Sequence, residues 1–241
     1  MPTKTIIVWT EGLQEDLWDL HVEHPGWSTR KLAEEMGLPW KAVENCLYRL
    51  KCVREDHWLD NAKVGFFDIE STDLKANVGF MLCWGLLHTD GTVVSDVITR
   101  REIMSTAIEP DKRVVASCLK AIEGVDVLVT YNGERFDIPF LRSRAMVHGL
   151  RFPAYGQKQH IDLYWATRRL TKLTNNRMGT LSAFLGGTDK DSYDVRVWNR
   201  ARRGDGEALG HIYSHNISDL QITQERFIAL GPYMKWTRKS I

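Results

Sequence analysis

The stretch that decides the fold of this chain is residues 64–72, Val-Gly-Phe-Phe-Asp-Ile-Glu-Ser-Thr. Its apolar first half predicts a buried strand, and Asp68 and Glu70 stand two residues apart at the polar end of that strand. Because successive side chains of a strand point to opposite faces, both carboxylates project from one face while Ile69 points into the core. Burying an unpaired carboxylate costs several kcal/mol, so this strand predicts a shared cationic partner for the two acids.

A third acid follows a second predicted strand. Residues 131–141 read Tyr-Asn-Gly-Glu-Arg-Phe-Asp-Ile-Pro-Phe-Leu, in which Asn132 comes directly after a buried strand and Asp137 falls in the first turn of a helix. A carboxylate at a helix start is favoured by the helix dipole, so a capping role is one interpretation of Asp137. A metal-associated role is the other, and both can hold together.

The fourth acid lies on the last predicted helix. Residues 215–220 read His-Asn-Ile-Ser-Asp-Leu, and His215 and Asp219 are four residues apart, hence on one helix face. The four acids Asp68, Glu70, Asp137 and Asp219 are the predicted metal ligands. Hard oxygen ligands suit Mg²⁺ or Mn²⁺, and we predict two divalent ions about 4 Å apart, an arrangement that cuts phosphodiesters.

The pattern of elements around these motifs predicts an α/β fold. Residues 77–87 and 92–99 are predicted strands joined by a hairpin turn at Asp90-Gly91. Helix and strand then alternate to a long final helix over 207–230. This order predicts a mixed sheet flanked by helices. The other predicted elements are helices at 111–123, 137–148 and 181–185 and strands at 125–131 and 160–163.

The first sixty residues predict a separate helical domain, with the boundary near 54–63 and the α/β domain over 61–241. Helices are expected at 11–24, 29–36 and 40–51, with Ser28 as an N-cap and Gly37 as a helix end. The spacing of small, glycine and apolar residues in the last two helices resembles a helix-turn-helix, which would bind DNA. Lys41 and Arg49 on the second of these helices could reach phosphates. A plain three-helix bundle fits the same pattern equally well.

Composition limits the class of protein. The chain has 241 residues, 43% of them hydrophobic, and a net charge of +1, so any nucleic-acid contact must use local basic patches. Four cysteines without metal-binding spacing favour reduced thiols in a cytosol. The N-terminus has no signal pattern and no apolar stretch reaches membrane-spanning length, which favours a cytoplasmic protein without membrane contact. The cysteines are Cys46, Cys52, Cys83 and Cys118.

The three acidic motifs together resemble those of the DEDD superfamily of 3′–5′ exonucleases, which have a ribonuclease H-like fold. The second motif is especially similar to the exonuclease domain of family B DNA polymerases and its stand-alone relatives. The resemblance covers about residues 64–230. It implies that Asp68, Glu70, Asp137 and Asp219 are the catalytic, metal-associated acids, and that the chain removes nucleotides from the 3′ end of a nucleic acid.

One position departs from the family pattern. In the matching branch of the superfamily a tyrosine precedes the last aspartate with three residues between them, and here His215 occupies that position. Tyr213 lies two residues further back, on a different helical face. We favour His215 as the group that orients the attacking water, because an imidazole titrates near neutrality and a phenol does not.

Residues near the motifs are candidates for substrate contact. Asn132 and Phe136 belong to the second motif, and Arg196 belongs to a basic stretch before the last helix that could contact phosphates. Asp162 ends a short predicted strand and is expected to cap the following helix, with a supporting role at the site as the alternative.

The predicted function is thus a two-metal 3′–5′ exonuclease that acts on DNA in preference to RNA. One alternative is a structure-selective or internally cutting nuclease on the same fold, because the motifs do not fix the polarity of cleavage. The other is a helix-turn-helix regulator with a degenerate nuclease domain. Because the chain has no recognisable polymerase domain, a proofreading role would require a replication or repair partner.

Overall fold

The computed structural model describes residues 9–54, 62–106, 109–186 and 194–234. Within the third helix the side chains of Tyr48, Arg49 and residues 51–54 are outside that description. The chain divides into two compact units, residues 1–61 and 62–241, which are treated separately below.

The first unit contains three helices, α1 (Glu11–Glu23), α2 (Thr29–Glu35) and α3 (Trp40–Arg54). Ser28 caps α2 by accepting a hydrogen bond from the Lys31 N–H at 3.3 Å, as the sequence predicts. Gly37 adopts a left-handed φ of +64° between α2 and α3, a conformation that glycine reaches without strain. The buried core of the unit comprises Leu17, Leu32, Ala33, Val43, Cys46, Leu47 and Leu50.

This arrangement is compatible with both interpretations of the unit. The α2–turn–α3 segment has the glycine turn and the buried Ala33, Val43 and Leu47 that a helix-turn-helix requires. Helix α1 also packs on α3, as in any three-helix bundle. DNA binding by this unit therefore stays a prediction.

The second unit is built on one five-stranded sheet in the order β3-β2-β1-β4-β5. The central strand β1 pairs antiparallel with β2 and parallel with β4, and β4 pairs parallel with β5. The sheet is therefore mixed, as predicted. The strands are β1 (Val64–Ser71), β2 (Met81–His88), β3 (Val93–Val97), β4 (Val127–Thr130) and β5 (Gln159–Asp162).

Seven helices flank this sheet in the described part of the second unit. The helices are α4 (Arg100–Ile103), α5 (Lys112–Glu123), α6 (Asp137–Val147), α7 (Leu163–Leu170), α8 (Met178–Leu185), α9 (Val195–Ala201) and α10 (Gly206–Leu230), and a 3₁₀ turn follows at Gly231–Tyr233. None of the helices in the described ranges is both long and apolar enough to traverse a membrane.

Successive side chains of β1 point alternately to the two sides of the sheet, which pack against different helices. Ile69 is buried in the main core, and its partner on β2, Trp84, donates from its indole N–H to Ser117 Oγ of α5 at 3.1 Å. On the other face the Phe66 ring meets the Phe227 ring of α10 edge-on, with centroids 5.4 Å apart. The face that carries Phe66 also carries the carboxylates two and four residues later, so α10 lies over the acids.

Two features differ from the sequence-based expectation. Strand β2 begins at Met81 rather than near residue 77, because Lys75 accepts turn hydrogen bonds from Val78 and Gly79 and Val78 is exposed. The short helices α4 and α9 were not predicted. Helix α4 is fixed by a capping box in which Thr99 and Glu102 bond each other's backbone N–H.

Candidate active site

The two acids of β1 stand at the centre of the sheet, near its carboxyl end. Asp68 and Glu70 are partly exposed, while Ile69 between them is buried, as strand alternation predicts. The Asp68 carboxylate is oriented by α10, because Asn216 Nδ2 donates to Asp68 Oδ2 at 2.7 Å.

Helix α10 approaches the sheet closely at Gly85, which faces Asp68 across the β1–β2 ladder. A Cβ atom at this position would lie 2.5 Å from Asn216 Oδ1 and 2.6 Å from Leu220 Cδ1. Both distances are far shorter than a van der Waals contact. The absence of a side chain at Gly85 therefore lets α10 carry its polar residues down to the carboxylates of β1.

Three side chains converge where α10 crosses the end of β1. His215 Nε2 lies 3.9 Å from Glu70 Oε1 and 3.8 Å from Asp219 Oδ2. One donor atom from each of Glu70, His215 and Asp219 lies within 4.8 Å of the others, a spacing that a single metal ion can span. His215 and Asp219 are buried, at 5% and 4% exposure, so their polar atoms are directed into the protein and this site.

Asp137 lies beside this cluster at the first turn of α6. Its Oδ1 accepts a hydrogen bond from the Ile69 N–H at 3.0 Å, which ties the second motif to the backbone between the two acids of the first. Burial raises the pKa of Asp137 to about 7; the Ile69 hydrogen bond opposes this rise, and the charges of Asp162 and Asp219 add to it. This buried acid is thus held next to the others at an energetic cost.

Asp162 organises the loop that precedes Asp137. Its carboxylate accepts from the backbone N–H groups of Asn132 at 2.8 Å, Glu134 at 2.9 Å and Tyr164 at 2.9 Å. The bond from Tyr164 caps α7, as predicted, and the other two hold the loop after β4. Asn132 adopts a left-handed φ of +69° in this loop, a conformation that the Asp162 clamp supports.

A cleft of about 840 Å³ opens onto the acids. Asp68 and Asp219 line it together with Asn132, which places one predicted substrate residue beside two of the predicted metal ligands. The remaining lining residues are Tyr131, Arg135, Tyr164, Asn175, Asn176, Arg177, Met178, Gly179 and Thr180.

Other predicted substrate residues do not line the cleft. Phe136 is half-buried against the main core and packs on Phe140, with ring centroids 5.6 Å apart. Arg196 is exposed in the first turn of α9. Lys41, in the first unit, is exposed and ion-paired with Glu44. The side chain of Arg49 lies outside the described residues.

The tyrosine considered as an alternative to His215 is directed elsewhere. The Tyr213 hydroxyl lies 3.0 Å from Ser95 Oγ of the edge strand β3, and it does not line the cleft. Histidine 215, in contrast, lies in the acidic cluster, as the helical phase of the third motif predicts.

Sequence reasoning missed several residues that the structure brings to the site. Asn216, Gly85, Arg135 and Arg177 are in contact with the acids or line the cleft. A signal for Asn216 was its place between His215 and Asp219 on α10. No local pattern marks Gly85 or Arg177, because their roles depend on elements that are distant in the chain.

Comparison with known proteins agrees with this geometry. The RNase_H superfamily model matches residues 65–226, which include all four acids. A DNA polymerase of Methanocaldococcus jannaschii is 31% identical over 116 residues, 39% of this chain and 7% of that protein. A DNA polymerase of Desulfurococcus sp. is 26% identical over 140 residues, 49% of this chain and 18% of that protein.

Two further similarities extend the comparison. The uncharacterized protein YprB of Bacillus subtilis is 28% identical over 131 residues, 54% of this chain and 30% of that protein. The family B DNA polymerase of Pyrobaculum calidifontis superposes with a TM-score of 0.59 at 17% identity, over 71% of this chain and 25% of that one. The chain thus spans less than a third of each of these relatives. Since the family model covers more than half of the sequence, the chain belongs to the RNase H superfamily.

Proposed function

We propose that this protein is a metal-dependent 3′–5′ exonuclease that hydrolyses phosphodiester bonds of DNA. Membership of the RNase H superfamily supports a nuclease hydrolase. Similarity to parts of two DNA polymerases supports DNA as the substrate and a replication or repair setting, in which a partner protein would supply polymerisation. The 3′–5′ direction follows from the resemblance of the three motifs to those of the DEDD exonucleases.

The observation that carries the proposal is the convergence of Glu70, His215 and Asp219, together with the cleft that Asp219 and Asp68 line. The donor set consists of carboxylate oxygens and one imidazole nitrogen, which suits Mg²⁺ or Mn²⁺. Asp68, Glu70 and Asp219 would hold one ion, and Asp68 together with Asp137 would support a second. When bound, these ions supply Lewis-acid stabilisation of the charge that develops on the phosphate oxygens.

The protein side chains have separate tasks in this mechanism. His215 would orient the attacking water and accept its proton at Nε2, because that atom faces Glu70 and Asp219 in the cluster. Asn216 holds Asp68 through Oδ2. Asp162 holds the loop that carries Asn132 into the cleft, where this side chain can contact the terminal nucleotide.

The decisive experiment follows the cleavage of a 5′-labelled oligodeoxynucleotide in Mn²⁺, Mg²⁺ or chelator. The proposal requires a ladder that shortens from the 3′ end with either ion, and no cleavage in chelator. Asp68→Asn should lower the rate by at least about a hundredfold while the fold is retained. Asp90→Asn, which makes the same charge change in an exposed turn, serves as the control and should cleave at the wild-type rate.

Two further substrates test the direction and the sugar preference. A circular single-stranded DNA has no 3′ end, so its cleavage would show an internally cutting nuclease and contradict the exonuclease assignment. A matched RNA oligonucleotide compares the two sugars directly. Tight duplex binding without metal-dependent turnover would instead indicate a DNA-binding regulator.

A further inference from the structure

The cleft that receives the substrate carries positive as well as negative groups. Arg135, in the loop after β4, and Arg177, at the start of α8, both line the cleft that Asp68 and Asp219 line. Both arginine side chains are exposed to solvent. Their positive charges are close to the place where a strand of phosphates would have to lie.

Neither guanidinium is used in an ion pair within the described part of the chain. Two other exposed arginines of the second unit are neutralised: Arg113 pairs with Asp96 and Glu102, and Arg200 pairs with Asp205 and Glu207. Arg135 and Arg177 form no such pair with a described carboxylate, although two carboxylates line the same cleft. Their charges therefore remain available to an anionic ligand.

Arg135 is held in place before any ligand arrives. Its guanidinium carbon lies 5.2 Å from the centroid of the Tyr164 ring and 4.7 Å from that of the Trp165 ring. Its backbone belongs to the loop that Asp162 fixes through Asn132 and Glu134. Two cation–π contacts and an anchored loop reduce the entropy that the side chain would lose on binding.

Arg177 is fixed through its backbone. Its N–H donates to Asn175 Oδ1 at 3.0 Å, and the same oxygen accepts from the Thr180 hydroxyl at 2.8 Å. The preceding segment is anchored by the Tyr131 hydroxyl, which donates to the Asn176 carbonyl at 2.9 Å. The backbone of Arg177 therefore belongs to a rigid turn at the start of α8, and only the side chain has to be ordered by a ligand.

We infer that Arg135 and Arg177 bind phosphates of the substrate strand next to the scissile one. This inference rests on the proposed nuclease function and assigns it two substrate-binding residues outside the acidic motifs. Without bound cations the acids repel a polyanion, so positive groups elsewhere in the cleft are needed to raise the affinity for the strand. Two planar, unpaired guanidinium groups supply it, since arginine matches the geometry of phosphate oxygens in a bidentate contact.

Binding is measured separately from cleavage, in the Asp68→Asn background. The anisotropy of a 5′-fluorescein oligothymidylate is followed over salt concentrations from about 50 to 200 mM. Arg135→Gln and Arg177→Gln should each weaken binding about tenfold. Each should also lower the slope of log K against log salt by about 0.7, and the double variant by about 1.4, the value expected for phosphate contacts to a single strand.

Arg200→Gln is the matched control, because Arg200 is exposed but ion-paired and does not line the cleft. The affinity of the Arg200→Gln variant for DNA and its salt slope should equal those of the Asp68→Asn protein. With Asp68 intact, the two cleft variants should raise KM about tenfold and leave kcat within about twofold. Tyr164→Leu should weaken DNA binding by the Asp68→Asn protein. It should cause little further loss of affinity when Arg135→Gln is already present, since the Tyr164 ring acts by positioning Arg135.

An unchanged affinity and salt slope in both cleft variants would overturn the inference, whether or not the enzyme cuts DNA. Loss of affinity with an unchanged slope would also overturn it, because a phosphate contact must release a counterion. The proposed function fails separately, if the wild-type chain shows no metal-dependent cleavage. Circular dichroism of each variant verifies that the exposed substitutions leave the fold intact.

Discussion

At the scale of single residues, the site depends on groups that orient the acids as well as on the acids. Asp68 is the acid whose orienting partner is best defined, because Asn216 Nδ2 donates to one of its oxygens at 2.7 Å. Asn216 is itself fully buried. A charge-assisted hydrogen bond of this kind fixes the orientation of the carboxylate that accepts it.

Replacement of this asparagine tests its orienting role. We expect Asn216→Ala to lower kcat about tenfold, since a hydrogen bond to a charged group is worth about 1.5–3 kcal/mol. The apparent affinity for Mn²⁺, measured by titration of activity and of thermal stability, should fall as well. Asn199→Ala, an exposed asparagine on α9, is the control. A wild-type kcat in Asn216→Ala would rule out the orienting role.

The residue scale also shows how far sequence reasoning reaches. The four acids could be singled out in the sequence because each one interrupts or borders an apolar run, which is a local signal. Asn216 lies between His215 and Asp219 on α10, but its orienting role could not be predicted, because its partner Asp68 lies 148 residues away in the chain. Arg135 lies inside the second motif, but its role depends on the rings of Tyr164 and Trp165, which meet it only in the folded protein.

At the scale of elements, the approach of α10 to the sheet determines whether the third motif reaches the first. Gly85→Ala would place a Cβ 2.6 Å from Leu220 Cδ1 and 2.5 Å from Asn216 Oδ1. We expect this overpacking to lower the free energy of unfolding by about 1–3 kcal/mol and to reduce activity, because α10 must shift. Denaturant titration measures the first effect and the cleavage assay the second.

A glycine on α10 itself provides the control. A Cβ at Gly210 would meet nothing within 4 Å, so Gly210→Ala should keep full activity. It should also stabilise the protein by about 0.5–1 kcal/mol, because alanine has the higher helix propensity. Equal effects of the two glycine variants would show that the close approach at Gly85 has no special importance.

A second prediction at this scale concerns a buried ionic network that joins β2, α5 and α6. Asp111, which is fully buried, accepts from the Met81 N–H at 2.7 Å, from Arg144 Nη2 at 2.6 Å and from His148 Nε2 at 2.8 Å. Burial alone would raise the pKa of Asp111. The hydrogen bonds from Arg144, Met81 and His148 outweigh burial and hold this pKa below the ordinary 3.8.

A carboxylate whose pKa is lower in the folded state than in the unfolded state stabilises the folded protein. This stabilisation is fully present above the unfolded-state pKa of about 3.8, and it is lost as the pH falls through the folded-state pKa. We therefore expect wild-type stability to fall as the pH drops below about 4. Asp111→Asn should cost about 3–5 kcal/mol at neutral pH, since Arg144 is left buried without this partner, and should flatten the acid dependence. A wild-type acid profile in Asp111→Asn, measured by urea titration at several pH values, would contradict this.

Among the elements themselves, those with strong periodic patterns or caps were predictable. The bounds of α1, α5 and α6 agree with the sequence within about one residue. Helices α4 and α9 have four and seven residues, too few to show a period, and their capping residues Thr99 and Asp194 were not recognised in the sequence. The start of β2 was misplaced because the residues before it are as apolar as a strand but form a turn.

At the scale of the whole molecule, we expect the binding of a metal ion to stabilise the folded state. Folding brings several buried or half-buried acids together, and the raised pKa of Asp137 shows the repulsion and desolvation that this assembly costs. We expect Mn²⁺ at a hundredfold excess over its Kd to raise the free energy of unfolding by about 2.7 kcal/mol and Tm by several degrees. Scanning calorimetry with and without the ion measures both quantities.

The acid variants distinguish site binding from a general salt effect. Glu70→Gln and Asp219→Asn should lose the Mn²⁺-induced rise in Tm, while the exposed Asp90→Asn should keep it. Chelator should return the wild type to its metal-free Tm. A rise that persists in Glu70→Gln and Asp219→Asn would place the ion away from these acids.

The architecture of the second unit could be predicted from the sequence because the order of strands and helices restricts the sheet to few topologies. The cleft could not, since its lining comes from segments around residues 68, 131–135, 164, 175–180 and 219. The distances between these segments depend on how the helices pack against the sheet, and this packing produces no periodic pattern in the sequence. In the first unit the bounds of the helices were predictable, whereas the choice between a DNA-binding helix-turn-helix and a plain three-helix bundle was not.

The phase of β1 has an evolutionary consequence. Residues 66, 68 and 70 face α10 and residues 67 and 69 face the core, so one strand carries the acids of the candidate site and part of the hydrophobic core at alternating positions. Deleting or inserting a single codon upstream within this strand would exchange the two sets and lose both at once. Single substitutions can therefore accumulate in this strand, whereas insertions and deletions cannot. We expect homologues to align through these positions without gaps.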